Sequence, residues 1–143
     1  AGYSVLRKEP IHVLPHHQWL LKVMNGDEIG RAYNLTNLLN LQGKKLLTIG
    51  WFNPESPFTN DIGLVEQFTN YISNFHATLE YDPTTNYWYI RDGQWRNKQG
   101  VPGWYRSTNG VLVNSMPVDD RGIMLQPDDI ITIGDTTIQV GIQ

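Results

Sequence analysis

Short runs in which apolar and polar residues alternate recur along the chain, separated by Gly, Pro, Asn and Asp. Alternation at a period of two sets one row of side chains on each face of a strand. Trp19-Leu20-Leu21-Lys22-Val23-Met24 reads as a strand, Asn25-Gly26 as a turn, and Gly30-Arg31-Ala32-Tyr33-Asn34-Leu35 as the return strand of a hairpin. Lys45 to Gly50 is the next strand, and Asp61-Ile62-Gly63-Leu64 a brief one within the loop-rich stretch from Trp51 to Phe68. From His76 to Tyr81, Ala77, Leu79 and Tyr81 share one face and His76, Thr78 and Glu80 the other. Trp88 and Ile90 alternate with Tyr87 and Tyr89, and Val111 and Val113 start a further strand. Ile130 to Ile133 and Thr137 to Val140 are strands joined across Gly134-Asp135, a two-residue hairpin turn.

Two segments resist this pattern. Leu35, Leu38 and Leu39 have helical spacing, but the run from Thr36 to Leu41 is too short to assign a helix. Gly93 to Tyr105 reads as a long irregular loop; loops of that length in compact domains usually carry function, and Trp95 and Trp104 argue for order. Many short strands and no clear helix predict an all-β sandwich or barrel. Residues 1–17, with Pro10, Pro15 and His16-His17, show no sustained period and are expected to be an extension or linker, leaving 18–143 as the domain.

A chain of 143 residues, 40% hydrophobic, is the size of one domain with a real core. Its net charge of −3 excludes whole-molecule steering to nucleic acid or an anionic membrane, and its apolar runs are too short to span a bilayer. Cysteine is absent, so there is no disulfide or thiol chemistry, which fits a cytoplasmic location. His16-His17 has no nearby Cys or carboxylate cluster, and neither a metal nor a cofactor is expected. No activated-serine elbow, carboxylate pair or metal-ligand spacing suggests an enzyme. The start at Ala1-Gly2 suggests part of a larger protein.

The chemistry concentrates in Arg106-Ser107-Thr108-Asn109-Gly110, where two hydroxyls and an amide sit beside an Asn-Gly turn that leads into a strand. Such a tip suits an anion or the backbone of another chain; equally, its hydroxyls can bond their own backbone. Charge is unevenly spread around it. From Leu46 to Ile90 there are five acids (Glu55, Asp61, Glu66, Glu80, Asp82) and no Lys or Arg. From Arg91 to Arg106 there are four basic residues, Arg91, Arg96, Lys98 and Arg106, against Asp92 alone.

In order, the landmarks Thr48-Ile49-Gly50, Asn60-Asp61-Ile62, Ser73-Asn74-Phe75-His76, Trp88-Tyr89-Ile90-Arg91-Asp92, Ser107-Thr108-Asn109-Gly110 with Asn114, and Leu125 to Gly134 resemble a forkhead-associated (FHA) domain from about Trp19 to Val140. The resemblance implies a sandwich of about eleven strands in two antiparallel sheets, FHA/SMAD-like, whose loops at one end bind phosphothreonine peptides in signalling. It implies that Ser73, Asn74 and Thr108 hold the phosphate, with Ser107 beside them, and that Asn109 holds the peptide backbone. His76 would be structural, pinning the Ser73 loop, with Gly50, Gly110 and Asn114 shaping the site. The family's Gly-Arg is Gly50-Trp51 here, so the phosphate's usual cation is replaced by Trp51. Arg106, or Arg96 folded back, is the expected substitute. The partner is then a threonine-phosphorylated protein; the alternative is a degenerate domain that binds its partner without phosphate.

Overall fold

The structure is a computed structural model that describes residues 12–43 and 45–143. Its elements in chain order are β1 (Trp19–Val23), β2 (Ala32–Asn34), α1 (Leu35–Gln42), β3 (Leu46–Trp51), β4 (Ile62–Leu64), β5 (Ala77–Asp82) and β6 (Tyr87–Asp92). There follow β7 (Gln94–Lys98), β8 (Val101–Tyr105), β9 (Val111–Val113), β10 (Met116–Val118), β11 (Ile123–Met124), β12 (Ile130–Ile133) and β13 (Thr136–Ile142). Six strands form one sheet in the order β10-β9-β12-β13-β1-β2, and five form the other in the order β11-β6-β5-β3-β4. Among the described residues only β3 and β4 run parallel; every other pair is antiparallel. The predicted β-sandwich is the observed architecture.

Alternation explains which face of each sheet is buried. Trp19, Leu21 and Val23 of β1, Ile131 and Ile133 of β12 and Ile138 and Val140 of β13 point inward from the first sheet. Leu47 and Ile49 of β3, Leu79 of β5 and Trp88 and Ile90 of β6 answer them from the second. At about 1.5–3 kcal/mol for each large side chain removed from water, this layer supplies the main favourable term of folding.

The Leu35–Leu39 spacing, too short to assign from the sequence, does form a helix. Its ends are determined by two residues. The Asn34 side chain accepts from the Asn37 N–H (2.9 Å), and Gly43 closes the other end in the left-handed region at φ 64°. Leu35 is buried, with Leu38 and Leu39 packed on the core.

The irregular loop expected from Gly93 to Tyr105 is instead a further hairpin. β7 and β8 pair from Gln94↔Tyr105 to Lys98↔Val101, as a separate two-stranded sheet. Gln99 (φ 52°) and Gly100 (φ 84°) make its turn, both with the positive φ that matches strand twist. Gln94 anchors its base: buried, it donates to the Ile49 and Ala77 carbonyls (3.0 and 3.2 Å) and to Asn60 Oδ1 (2.9 Å). Thr78 on β5 donates to the Gly93 carbonyl (2.8 Å), so β5 is buried on both faces here.

Of the expected extension, residues 1–11 lie outside the described residues. Leu14 is tied to the domain, its carbonyl accepting from Asn86 Nδ2 (2.8 Å). Among the described residues no helix is long and apolar enough to cross a membrane.

The caps of α1 generate a prediction. Asn34→Ala removes the acceptor for the Asn37 N–H and should lower unfolding free energy by about 0.5–2 kcal/mol in chemical denaturation. Asn34→Asp keeps the acceptor and should recover most of that loss.

Candidate phosphate-binding cavity

The loops after β3, before β5 and between β8 and β9 meet at one end of the sandwich, and buried polar groups hold them there. His76, just before β5, is fully buried. Its Nδ1 accepts from the Ser73 N–H (2.9 Å) and its Nε2 lies 2.8 Å from the Gly110 carbonyl. Since Nδ1 is an acceptor, the neutral ring carries its proton on Nε2 and donates it to Gly110. Burial pushes the His76 pKa below its ordinary value, outweighing the Gly110 carbonyl and the charges of Asp92 and Glu66. Both nitrogens are thus committed, and the ring has no free lone pair with which to act as a base.

The neighbouring loop is shaped by close approach. The Asn74 carbonyl accepts from Asn60 Nδ2 (2.7 Å), and Asn60 is in turn held by Gln94. Gly50 lies beneath this contact: a Cβ there would overlap both the Asn74 carbonyl and the Asn60 amide. Trp51 continues the clamp through its backbone N–H, which donates to the Ser73 carbonyl (3.0 Å).

Asp92, 1% exposed at the end of β6, organises the third loop. It accepts from Arg106 Nε (2.8 Å) and from the Ser107 hydroxyl (2.5 Å), and the same hydroxyl accepts from the Gly110 N–H (2.8 Å). The hydrogen bond to Asp92 pushes the Arg106 pKa further up, so that side chain stays charged. The Thr108 N–H donates to Ser73 Oγ (3.2 Å), which leaves the Ser73 hydroxyl proton to be donated elsewhere.

Between these loops and the β7–β8 hairpin lies an open cavity of about 360 Å³. Ser73, Asn74 and Thr108 line one side, Arg96 and Lys98 the hairpin side, and Phe75, Tyr105 and Arg106 complete it. Among the described residues no acidic side chain lines it. The Arg96 guanidinium sits 3.9 Å above the Phe75 ring and the Lys98 ammonium 5.4 Å from the Tyr105 ring centre. Hydroxyls, an amide and three cations thus surround one hollow, the donor chemistry that anions require.

The sequence matches the model of the FHA domain over residues 56–134. The chain belongs to the FHA domain family. An FHA domain analysed for phosphothreonine-dependent interactions shares the fold at 21% identity and TM-score 0.59, over 88% of this chain and 97% of that one. The FHA domain of the CT664 protein from Chlamydia trachomatis aligns at 23% identity and TM-score 0.58, over 87% and 96%. Mycobacterium tuberculosis EmbR, in complex with a low-affinity phosphopeptide, aligns at 24% identity and TM-score 0.59, over 88% of this chain and 24% of that one. At these identities the likeness is one of fold. No curated protein sequence matches the chain significantly.

Within this FHA domain the residues singled out from sequence fall into three groups. Ser73, Asn74, Thr108, Arg96 and Arg106 meet at the cavity. Asn109, Gly110 and Ser107 belong to the neighbouring turn but do not line the cavity: Asn109 and Gly110 face a separate hollow beside Tyr71, where Asn109 Nδ2 donates to the Tyr71 carbonyl (3.0 Å), and the Ser107 hydroxyl is engaged internally with Asp92. Trp51 and Asn114 lie off the cavity wall. Trp51 is half-buried with its ring packed on the core, and Asn114 joins β9 to β12 by accepting from the Ile130 N–H (2.9 Å). Phe75, Tyr105, Asp92, Asn60 and Gln94 escaped sequence reasoning as parts of this end of the domain. Asp92, the lone acid in a basic stretch, was the available signal. Among the described residues no group of three His, Cys, Asp or Glu side chains could hold a metal ion.

Removing the imidazole strands the Ser73 N–H and the Gly110 carbonyl, so His76→Ala should destabilise by about 1–3 kcal/mol in denaturant titration. Because the folded-state pKa is depressed, the unfolded chain binds more protons below about pH 6.5. The His76 contribution to stability is therefore complete above that pH and falls as acid is added. His76→Gln should lose that part of the pH slope.

Proposed function

We propose that this FHA domain binds phosphothreonine peptides in the cavity between the Ser73 and Thr108 loops and the β7–β8 hairpin. The reading rests on one observation above all: Arg96 and Arg106 line the same cavity as Ser73, Asn74 and Thr108, with no acid lining it among the described residues. A phosphothreonine brings about −1.5 to −2 charges and three strong acceptor oxygens. The Ser73 hydroxyl, the Asn74 amide and the Thr108 hydroxyl supply directional donors, and the two guanidinia supply charge and planar forks. Arg106 keeps its terminal nitrogens for the ligand while Nε is fixed by Asp92. Arg96 is steadied by Phe75, and no acid within salt-bridge distance competes for it among the described residues. Together they take the place of the cation that Trp51 does not provide. The partner is a threonine-phosphorylated protein, and the module carries no catalytic group.

Calorimetric titration with a phosphothreonine peptide and its phosphoserine and unphosphorylated copies tests this reading. Phosphothreonine should bind best; equal affinity for the phosphorylated and plain peptides would mean that the domain binds without phosphate. Arg96→Ala should weaken phosphopeptide binding about tenfold to a hundredfold, the equivalent of about 1.5–3 kcal/mol, with melting unchanged. Arg106→Ala should weaken binding and also lower the melting temperature, because it leaves buried Asp92 without its counter-charge.

A further inference from the structure

Resting on that reading, we infer that the hairpin extends the site, with Lys98 selecting ligands that carry a second anionic side chain close to the phosphothreonine. β7 alternates, so Gln94, Arg96 and Lys98 share one face. Gln94 is buried at the base and Arg96 lies over Phe75 beside the Asn74 loop, while Lys98 stands next to the turn, exposed and beside Tyr105. Two strand residues advance about 6.5–7 Å, which is also the separation of alternate side chains in an extended peptide. An anion one or two residues from a phosphothreonine held at Arg96 and Arg106 therefore falls within reach of the Lys98 ammonium.

Room and charge agree with this placement. A phosphate group has five heavy atoms, and at a water's share of about 30 Å³ for each it fills less than half of the 360 Å³ cavity. Lys98 has no acidic partner within salt-bridge distance among the described residues, and no acid occurs between Gly93 and Tyr105 to neutralise it. An ammonium is a compact point charge without the planar fork of the guanidinium, suited to a carboxylate or a second phosphate alike.

The test is fluorescence polarisation with a phosphothreonine peptide of neutral flanks, scanned singly with Asp, phosphoserine or Lys at the three positions on either side. In the wild-type domain an anion at one position within two residues should tighten binding about two- to fivefold. Phosphoserine should exceed Asp if a second phosphate is the ligand, and Asp should match or exceed it if a carboxylate is; either supports the inference. In Lys98→Ala the increment between acidic and neutral peptides should vanish, and in Lys98→Glu the preference should reverse toward Lys. A phosphate-dependent interaction with no flanking preference, or an increment that survives Lys98→Ala, overturns the role of Lys98 and leaves the phosphate site standing. Binding that ignores the phosphate overturns both.

Discussion

A neutral, buried imidazole joins the two loops on which the site depends. His76 receives the Ser73 N–H on one nitrogen and donates to the Gly110 carbonyl from the other, so the 73–75 and 107–110 loops are held at a fixed separation. Burial favours this arrangement over a charged one, since an imidazolium could not accept from Ser73. Without the clip, the two loops would be joined only by weaker, exposed bonds, Thr108 N–H to Ser73 Oγ and Asn109 Nδ2 to the Tyr71 carbonyl. Donors held in place before the ligand arrives lose less freedom on binding than donors that must be ordered by it.

Asp92 performs the matching task on the basic side. A carboxylate this deeply buried needs partners, and Arg106 with Ser107 provides them. The cost of burying the carboxylate is offset by Arg106 and Ser107, while the Asp92 backbone carbonyl separately seats the hairpin by accepting from the Trp104 indole N–H (2.8 Å). One acid in a basic stretch thus fixes where several of its neighbours lie. Trp51 packs against the core, while the cations that line the cavity come from the hairpin (Arg96, Lys98) and from Arg106 just after it.

Much of this was legible in the sequence because period-two alternation over β1, β3, β5, β6, β12 and β13 reports burial directly. The hairpin was not. In β7 the inward residues are Gln94, Arg96 and Lys98, polar because they face a cavity and a buried polar network and not an apolar core. Its Gln99-Gly100 turn lacks the Asn-Gly signature that marks such turns most strongly. The helix was hidden by its length, since eight residues give too few turns for a period, and the caps Asn34 and Gly43 carry it instead. At the site, Ser107, Thr108 and Asn109 could be read from their turn and Ser73 and Asn74 from the family resemblance, but that Ser107 turns inward to Asp92 while Thr108 lines the cavity depends on tertiary contacts alone.

The most direct measurement follows the backbone amides and the arginine Nε–H signals by NMR as a phosphothreonine peptide is added. Binding in the cavity between the loops and the hairpin predicts the largest shifts at Ser73, Asn74, Thr108 and the Arg96 and Arg106 side chains, with little change along β1 and β13. Saturating shifts that fall away from these residues, or no phosphate-dependent shift at all, would contradict the account.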